Sequence, residues 1–219
     1  MSEYNSSYIG LRKDLIKYID YGQHAILDVG CALGVNGKYL LDNNYANVVV
    51  GIEFDEKMAQ EASVHNTQVF CGDLNDSSFR KSVIEANYTF DYILFGDILE
   101  HLYNPSIVLR ELKSMLKSNG KIIISLPNIG HVELFIQVFI KGTWPKNERG
   151  IFDKTHLSWF TRKDVYSLAE SADLKIITYE RKFRARDAKG SKFDWKTNLL
   201  KRINKDLVTF QHIVVCEHV

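Results

Sequence analysis

Seven short apolar or β-branched runs punctuate this chain: AILDVG (25–30), NVVVGIE (47–53), QVFCGD (68–73), FDYILFGD (90–97), KIIISLP (121–127), LKIITYE (174–180) and FQHIVVCE (210–217). Stretches with helical spacing lie between the first five, at 37–43, 55–64 and 106–117, the last with apolar residues at Ile107, Val108, Leu112, Met115 and Leu116. Strand and helix alternating at this interval predict an α/β fold, a parallel sheet wound on both faces. The punctuation agrees: Asn104-Pro105 opens a helix that Asn119-Gly120 closes, and Asp55 and Thr161 can cap the helices that follow them. Two segments break the alternation, 128–160 and 181–209. With no internal repeat and no Ser/Gly linker, residues 1–219 are expected to form one domain.

Composition narrows the function. The charges, 28 Lys and Arg against 27 Asp and Glu, advertise neither nucleic acid nor a membrane as partner. Cys31, Cys71 and Cys216 are odd in number and widely spaced, which suits neither a disulfide framework nor a zinc site. No clustered acidic or histidine ligand set suggests another metal, so none is expected. The first twenty residues lack the apolar stretch of a signal peptide, and the most apolar segment, 122–140, is interrupted by Pro127, Asn128, Gly130, His131, Glu133 and Gln137. A cytoplasmic protein without a transmembrane segment is expected.

In an open α/β sheet, ligands bind beyond the carboxyl ends of the strands. The first run ends in Asp28-Val29-Gly30-Cys31-Ala32-Leu33-Gly34, where glycines let a ligand approach backbone beside unpaired helix N–H groups. The second ends in Glu53, a carboxylate able to accept both hydroxyls of a ribose. The third ends in Gly72-Asp73-Leu74, which can hydrogen-bond an exocyclic amine and pack on a flat base; the fourth ends in Phe95-Gly96-Asp97. This is an adenosine site. Carboxylates around the loop repel a pyrophosphate but favour the ammonium and sulfonium of S-adenosylmethionine. The glycine spacing, GxxxGxxG at Gly30, Gly34 and Gly37, is also not the dinucleotide pattern.

LDVGCALG, VVGIEFDE, VFCGDL and FDYILFGDILEHLYNP resemble the successive signatures of class I S-adenosylmethionine-dependent methyltransferases. The resemblance implies a Rossmann-like, seven-stranded, mostly parallel sheet whose last strand is antiparallel, with a lid insertion after strand five. It also implies that Asp28, Gly30, Cys31 and Gly34 surround the methionyl moiety, Glu53 the ribose, Phe54 and Leu74 the adenine faces and Asp73 its amine, with Gly96 and Asp97 on the sulfonium side. Glycine usually stands where this chain has Ala32. Upstream, Tyr4, Tyr8 and Arg12 lie on a segment that lids the cofactor in similar enzymes, which lets Arg12 pair with the methionyl carboxylate. SLPNIGHVELF and KGTWPKNERGIFDKTHLSWFT are similar to a bacterial subgroup associated with surface-glycan enzymes, in which the segment after strand five builds the acceptor pocket and arginine is common where Ser158 stands.

Methyl transfer needs a group to take the acceptor's proton, and histidine is suited to this at neutral pH. His24, His65, His212 and His218 fall away from the expected crevice. The candidates for general base are His156 and His131, with Asp153 as orienting carboxylate; His101 beside Glu100 has a packing explanation. Phe135, Phe139, Trp144, Phe152, Trp159 and Phe160 can build an apolar wall around the acceptor or simply core. Residues 132–140 can also serve as a dimer contact or a surface helix. Segment 181–209 carries ten Lys and Arg against three Asp, which suits a phosphorylated or lipid-linked sugar, an anionic leaflet, or a plain solvated insertion. The expected activity is O-methylation of a small molecule such as a sugar or glycan precursor. The alternatives are a quinone- or phenol-type O-methyltransferase and a non-catalytic S-adenosylmethionine-binding module.

Overall fold

The computed structural model describes residues 9–188 and 191–219. Seven strands, β1 (His24–Val29), β2 (Ala46–Glu53), β3 (Gln68–Cys71), β4 (Phe90–Gly96), β5 (Leu116–Pro127), β6 (Leu174–Phe183) and β7 (Thr209–His218), form one sheet in the order β3-β2-β1-β4-β5-β7-β6. The first five are mutually parallel, and β7 runs antiparallel to both β5 and β6. All seven expected runs become strands.

The two-residue period of a strand sends alternate side chains to opposite faces, and each face has its own core. Leu27, Val29, Ile93, Phe95, Ile122 and Ile124 pack on one side against α4 (Ser77–Glu85), α5 (Pro105–Lys113) and α7 (Arg162–Ser171), through Val83, Leu109 and Leu168 among others. Ile26, Leu94, Ile123 and Val215 pack on the other against α1 (Lys13–Ile16) and α2 (Val35–Asp42), through Leu15, Ile16 and Leu40. A final short helix of this first half, α3 (Glu56–Ala62), is capped as expected by Asp55, whose side chain accepts the Met58 N–H. At α7, Thr161 and Asp164 form a capping box.

The expected helix bounds shift by one or two residues at α2 and α3 and by more at α5. Helix α5 begins at Pro105 but stops at Lys113, four residues before the expected end. Leu116 instead pairs with Phe90 in the ladder, and the register then jumps so that Lys121 opposes Tyr92. Asn119-Gly120 therefore sits in a bulge, not at a helix stop. A Cβ at Gly120 would lie 2.6 Å from Leu116 Cδ1, so a larger residue there would have to displace the Leu116 side chain.

Beyond β5 the chain is anchored by Asn128, fully buried, whose side-chain amide donates to the carbonyls of Asp206 and Thr209 and whose oxygen accepts the Gly130 N–H. It then forms α6 (Val132–Leu134), a π-helical turn (Phe135–Ile140) and an irregular stretch that returns to the sheet at Phe160. The basic segment carries regular structure, with much of its surface exposed. It continues β6 to Phe183, then forms α8 (Trp195–Ile203) and a 3₁₀ turn (Lys205–Val208). Two of its arginines are closely paired: Arg181 with Asp206 at 3.0 Å, and Arg186 with both oxygens of Glu133 at 2.6 and 2.9 Å. Among the described residues no helix is long and apolar enough to cross a membrane.

Candidate active site

Strand order reverses between β1 and β4, and the loops leaving the carboxyl ends of β1 to β4 splay around a cavity of about 570 Å³. Arg12, Asp28, Gly30, Cys31, Glu53, Phe54, Asp73, Leu74, Gly96 and Asp97 all line it. Gly34 does not. It caps α2 with φ +73°, and a Cβ there would lie 3.0 Å from Ala62 Cα, so its role is the close packing of α2 on α3. Tyr8 and Tyr4 lie outside the described residues. Gly30 also has positive φ, +77°, and Ala32 adopts the same left-handed region at +46° without the freedom of glycine.

The cavity's acids are held in different ways. Asp28 is 2% exposed and accepts one side-chain hydrogen bond, from Asn36 at 3.2 Å. Burial pushes its carboxyl up to about 6, against the pull of Asn36 and Arg12. Glu53 bridges two loops: Oε2 accepts the Ala32 N–H at 2.8 Å, and Oε1 accepts those of Phe54 and Asp55, each at 2.9 Å. A carboxylate has about four lone-pair positions. Three are taken, so Glu53 has room for about one further hydroxyl donor on Oε2 where two were expected. Asp73 is set by Asn75, whose backbone and side-chain amides both donate to Oδ1. Leu74 is buried in the floor, while Phe54, 72% exposed, stands at the lip.

Arg12 departs from expectation. Its guanidinium donates to Asp97 at 2.7 Å, Asp14 at 3.0 Å and Ser125 Oγ at 3.0 Å, so it is engaged by protein carboxylates rather than open to a ligand carboxylate. Asp97, at φ +59°, also accepts from Ser125 Oγ and Gln211 Nε2, each at 2.6 Å. Ser125, Gln211 and Asn36 were missed in the sequence. They come from β5, β7 and α2, and only the sheet order brings them to Asp97 and Asp28.

The Arg12–Asp97 pair separates the first cavity from a second of about 780 Å³ and lines both. Segments 128–160 and 181–209 together wall the second cavity, with Lys146, Arg149, Asp153, His156, Arg184 and Asp187 among its lining. They are stitched by Asp187, which accepts the Ile151 N–H at 2.9 Å, and by the Arg186–Glu133 pair. The expected aromatic wall is absent: none of Phe135, Phe139, Trp144, Phe152, Trp159 and Phe160 lines either cavity. Phe152 and Phe160 are core, and Phe135 and Phe139 stack on each other facing solvent.

The histidines separate sharply. His131 does not line either cavity, and both ring nitrogens are used: Nε2 meets the Arg184 carbonyl at 2.9 Å and Nδ1 accepts the Glu133 N–H at 3.0 Å. It pins the wall and has no nitrogen to spare for a proton. His156 lines the second cavity, with Nε2 4.0 Å from Glu100 Oε1 and its ring against that of His101 at 4.9 Å. Burial lowers the pKa of both His156 and His101 and raises that of Glu100 well above the carboxylate range. Asp153 orients a different ring from the one expected. Its Oδ1 accepts the Thr155 hydroxyl at 2.6 Å, and that hydroxyl meets His101 Nδ1 at 3.0 Å. Contrary to the expectation of no ligand cluster, Glu100, His101 and His156 bring ligand atoms within 4.8 Å of one another. Two of the three are neighbours, but the third is distant in sequence and invisible to spacing rules.

The residues fit an adenosyl sulfonium: a buried carboxylate for a cation, a glycine turn that leaves space for backbone approach, and an open aromatic lip. A family model described as "Methyltransferase domain" matches residues 7–179. The chain is 24% identical over 194 residues to a ubiquinone biosynthesis O-methyltransferase of Neisseria meningitidis, covering 76% of this chain and 81% of that enzyme. It is 29% identical over 119 residues to the mitochondrial ubiquinone biosynthesis O-methyltransferase of Candida albicans, covering 52% of this chain and 36% of that protein. A crystal structure of a putative S-adenosylmethionine-dependent methyltransferase from Listeria monocytogenes is similar in fold, with a TM-score of 0.60 at 18% identity over 94% of this chain and 96% of that one.

Proposed function

This chain belongs to the methyltransferase-domain family and is an S-adenosylmethionine-dependent enzyme, and from that premise we propose that it methylates an oxygen of a small, polar, hydroxylated acceptor such as a sugar or glycan precursor. The polar second cavity carries this reading. Its lining of lysine, arginine and carboxylate side chains, without the lid aromatics, suits an acceptor rich in hydroxyls that can both donate and accept hydrogen bonds. A nucleotide-linked or lipid-linked sugar has that chemistry, and the resemblance of 125–161 to the glycan-associated subgroup points the same way.

S-adenosylmethionine, when bound, supplies an electrophilic methyl group on a sulfonium. The protein's part is to bind, orient and exclude water. Asp28, Gly30 and Cys31 hold the methionyl end, Glu53 the ribose, Leu74 and Phe54 the adenine faces and Asp73 its amine. Gly96 and Asp97 face the sulfonium side, with Arg12 fixing Asp97. His156 offers a neutral imidazole lone pair on the acceptor side, where the hydroxyl oxygen must shed its proton; Asp153 steadies the neighbouring His101 through Thr155.

A second reading, methylation of a quinol or phenol, is favoured by the matches to ubiquinone biosynthesis O-methyltransferases. Incubation with methyl-labelled S-adenosylmethionine and parallel panels of sugar nucleotides, lipid-linked sugars and catechols separates the two. Label in a sugar hydroxyl is expected. Label in catechols alone overturns the polar-acceptor reading.

The raised pKa of Asp28 makes cofactor binding pH-dependent. A cation prefers the ionised carboxylate, so calorimetric affinity is expected to fall as pH drops through about 6, by about tenfold between pH 7.5 and 5. Stability without cofactor runs the other way. A carboxyl whose folded pKa is raised contributes stability below its ordinary range and loses it as pH rises through about 6. Asp28→Asn is therefore expected to raise Tm at pH 7.5 while weakening cofactor binding; a lower Tm contradicts it.

A further inference from the structure

Glu100 and His101 end the 3₁₀ turn after β4 (Leu99–His101), and His156 comes from the segment that walls the second cavity. Two hydrogen bonds lock these pieces together: the Glu100 carbonyl accepts the N–H groups of Leu157 at 2.8 Å and Ser158 at 2.9 Å. From this juxtaposition we propose that Glu100, His101 and His156 bind one divalent first-row transition-metal ion between the two cavities.

Three observations carry the assignment. First, the donor set is two imidazoles and one carboxylate, which satisfies zinc, cobalt, manganese or ferrous ions and leaves coordination positions open. The three ligand atoms lie within 4.8 Å of one another. Metal bonds of ~2.1 Å require ~3–3.5 Å between ligand atoms, a side-chain adjustment of about 1 Å. Second, the cluster contains a buried polar atom with nothing to satisfy it. Glu100 is 1% exposed, yet its Oε2 has no hydrogen-bond partner. A buried acceptor left unsatisfied is destabilising, and a cation removes that penalty. Third, an outer shell is present. His101 Nδ1 is held by the Thr155 hydroxyl at 3.0 Å and carbonyl at 3.3 Å, and the hydroxyl donates to Asp153 at 2.6 Å. A metal-ligating histidine is oriented in this way through its other ring nitrogen.

Glu100 and His156 line the second cavity, and His101 lines both. Open positions on the ion therefore face the acceptor. As a Lewis acid it lets an acceptor hydroxyl release its proton to solvent water; the C–O bond then forms as the C–S bond of the cofactor breaks, and the ion is unchanged. This catalytic part rests on the reading of the second cavity as the acceptor's, where it makes the His156 lone pair a ligand. The binding part does not.

The test uses the full chain, free of any affinity tag and stripped with chelator, titrated with Co²⁺ by visible absorption and with Zn²⁺ by calorimetry. One ion per chain is expected. Glu100→Gln and His156→Gln are each expected to weaken binding by at least ~100-fold, beyond the ~10–100-fold typical of outer-shell changes. His65→Ala, away from the cluster, leaves binding unchanged. If Glu100→Gln fails to fold, the half-buried His101→Ala serves in its place. Absence of stoichiometric uptake, or equal uptake by the ligand variants, overturns the site. Metal-free protein that methylates a polar acceptor at full rate overturns the ion's catalytic role and leaves the function standing. Uptake without methylation of any polar acceptor does the reverse.

Discussion

Replacing His156 by alanine is expected to lower kcat by roughly 10²–10⁴-fold, the range for loss of a group that handles the acceptor's proton, while the dissociation constant for S-adenosylmethionine stays within about twofold. The separation follows from geometry, since His156 lines the second cavity and not the first. His131→Ala should behave in the opposite manner. It leaves the Arg184 carbonyl and the Glu133 N–H unpaired in a buried position, a loss of roughly 2–4 kcal/mol that lowers Tm by about 5–15 °C. Below its melting range its turnover should approach that of the unmodified chain. Single-turnover kinetics with thermal melts of both variants check the pair, and full activity in His156→Ala returns that residue to packing.

Glu53→Ala is expected to weaken S-adenosylmethionine binding by roughly 1.5–3 kcal/mol, about 10- to 100-fold, measured by calorimetry. Loss of a charge-assisted bond to the ribose accounts for part of this. The rest comes from the N–H groups of Ala32, Phe54 and Asp55, which lose their common acceptor and with it the relative position of the two loops. Because Ala32 already sits in the left-handed region at φ +46°, its loop depends on that bond more than a glycine loop would. Glu53→Gln should recover only a fraction, since an amide oxygen is a weaker acceptor and its NH₂ faces other donors. An affinity change near zero in Glu53→Ala places the ribose elsewhere.

Much of this molecule is legible in one dimension because the relevant physics is local. A strand buried on both faces must be a short run of apolar residues, and Ile26 to Val29 or Ile93 to Phe95 announce themselves as such. The carboxyl end of such a strand is fixed once the strand is, so Asp28, Glu53, Asp73 and Asp97 could be placed on one rim before any coordinates. Helix α5 shows the limit. Its apolar spacing runs on through Leu116, and nothing within that window says that Leu116 will be drawn into the ladder opposite Phe90.

The chain by itself determined the alternating α/β architecture, the acid-ringed cavity and the cationic adenosyl guest that this charge selects, since these depend on side-chain type at positions set by local periodicity. Tertiary structure alone decided which histidine is spent on the wall and which lines the second cavity. It also decided that Arg12 is committed to Asp97, that Arg181 and Arg186 of the basic segment are paired with Asp206 and Glu133, and that Glu100 and His101 meet His156. Those outcomes turn on contacts between residues dozens of positions apart, where hydrogen-bond partners are assigned by the order of strands in space and not by order along the chain.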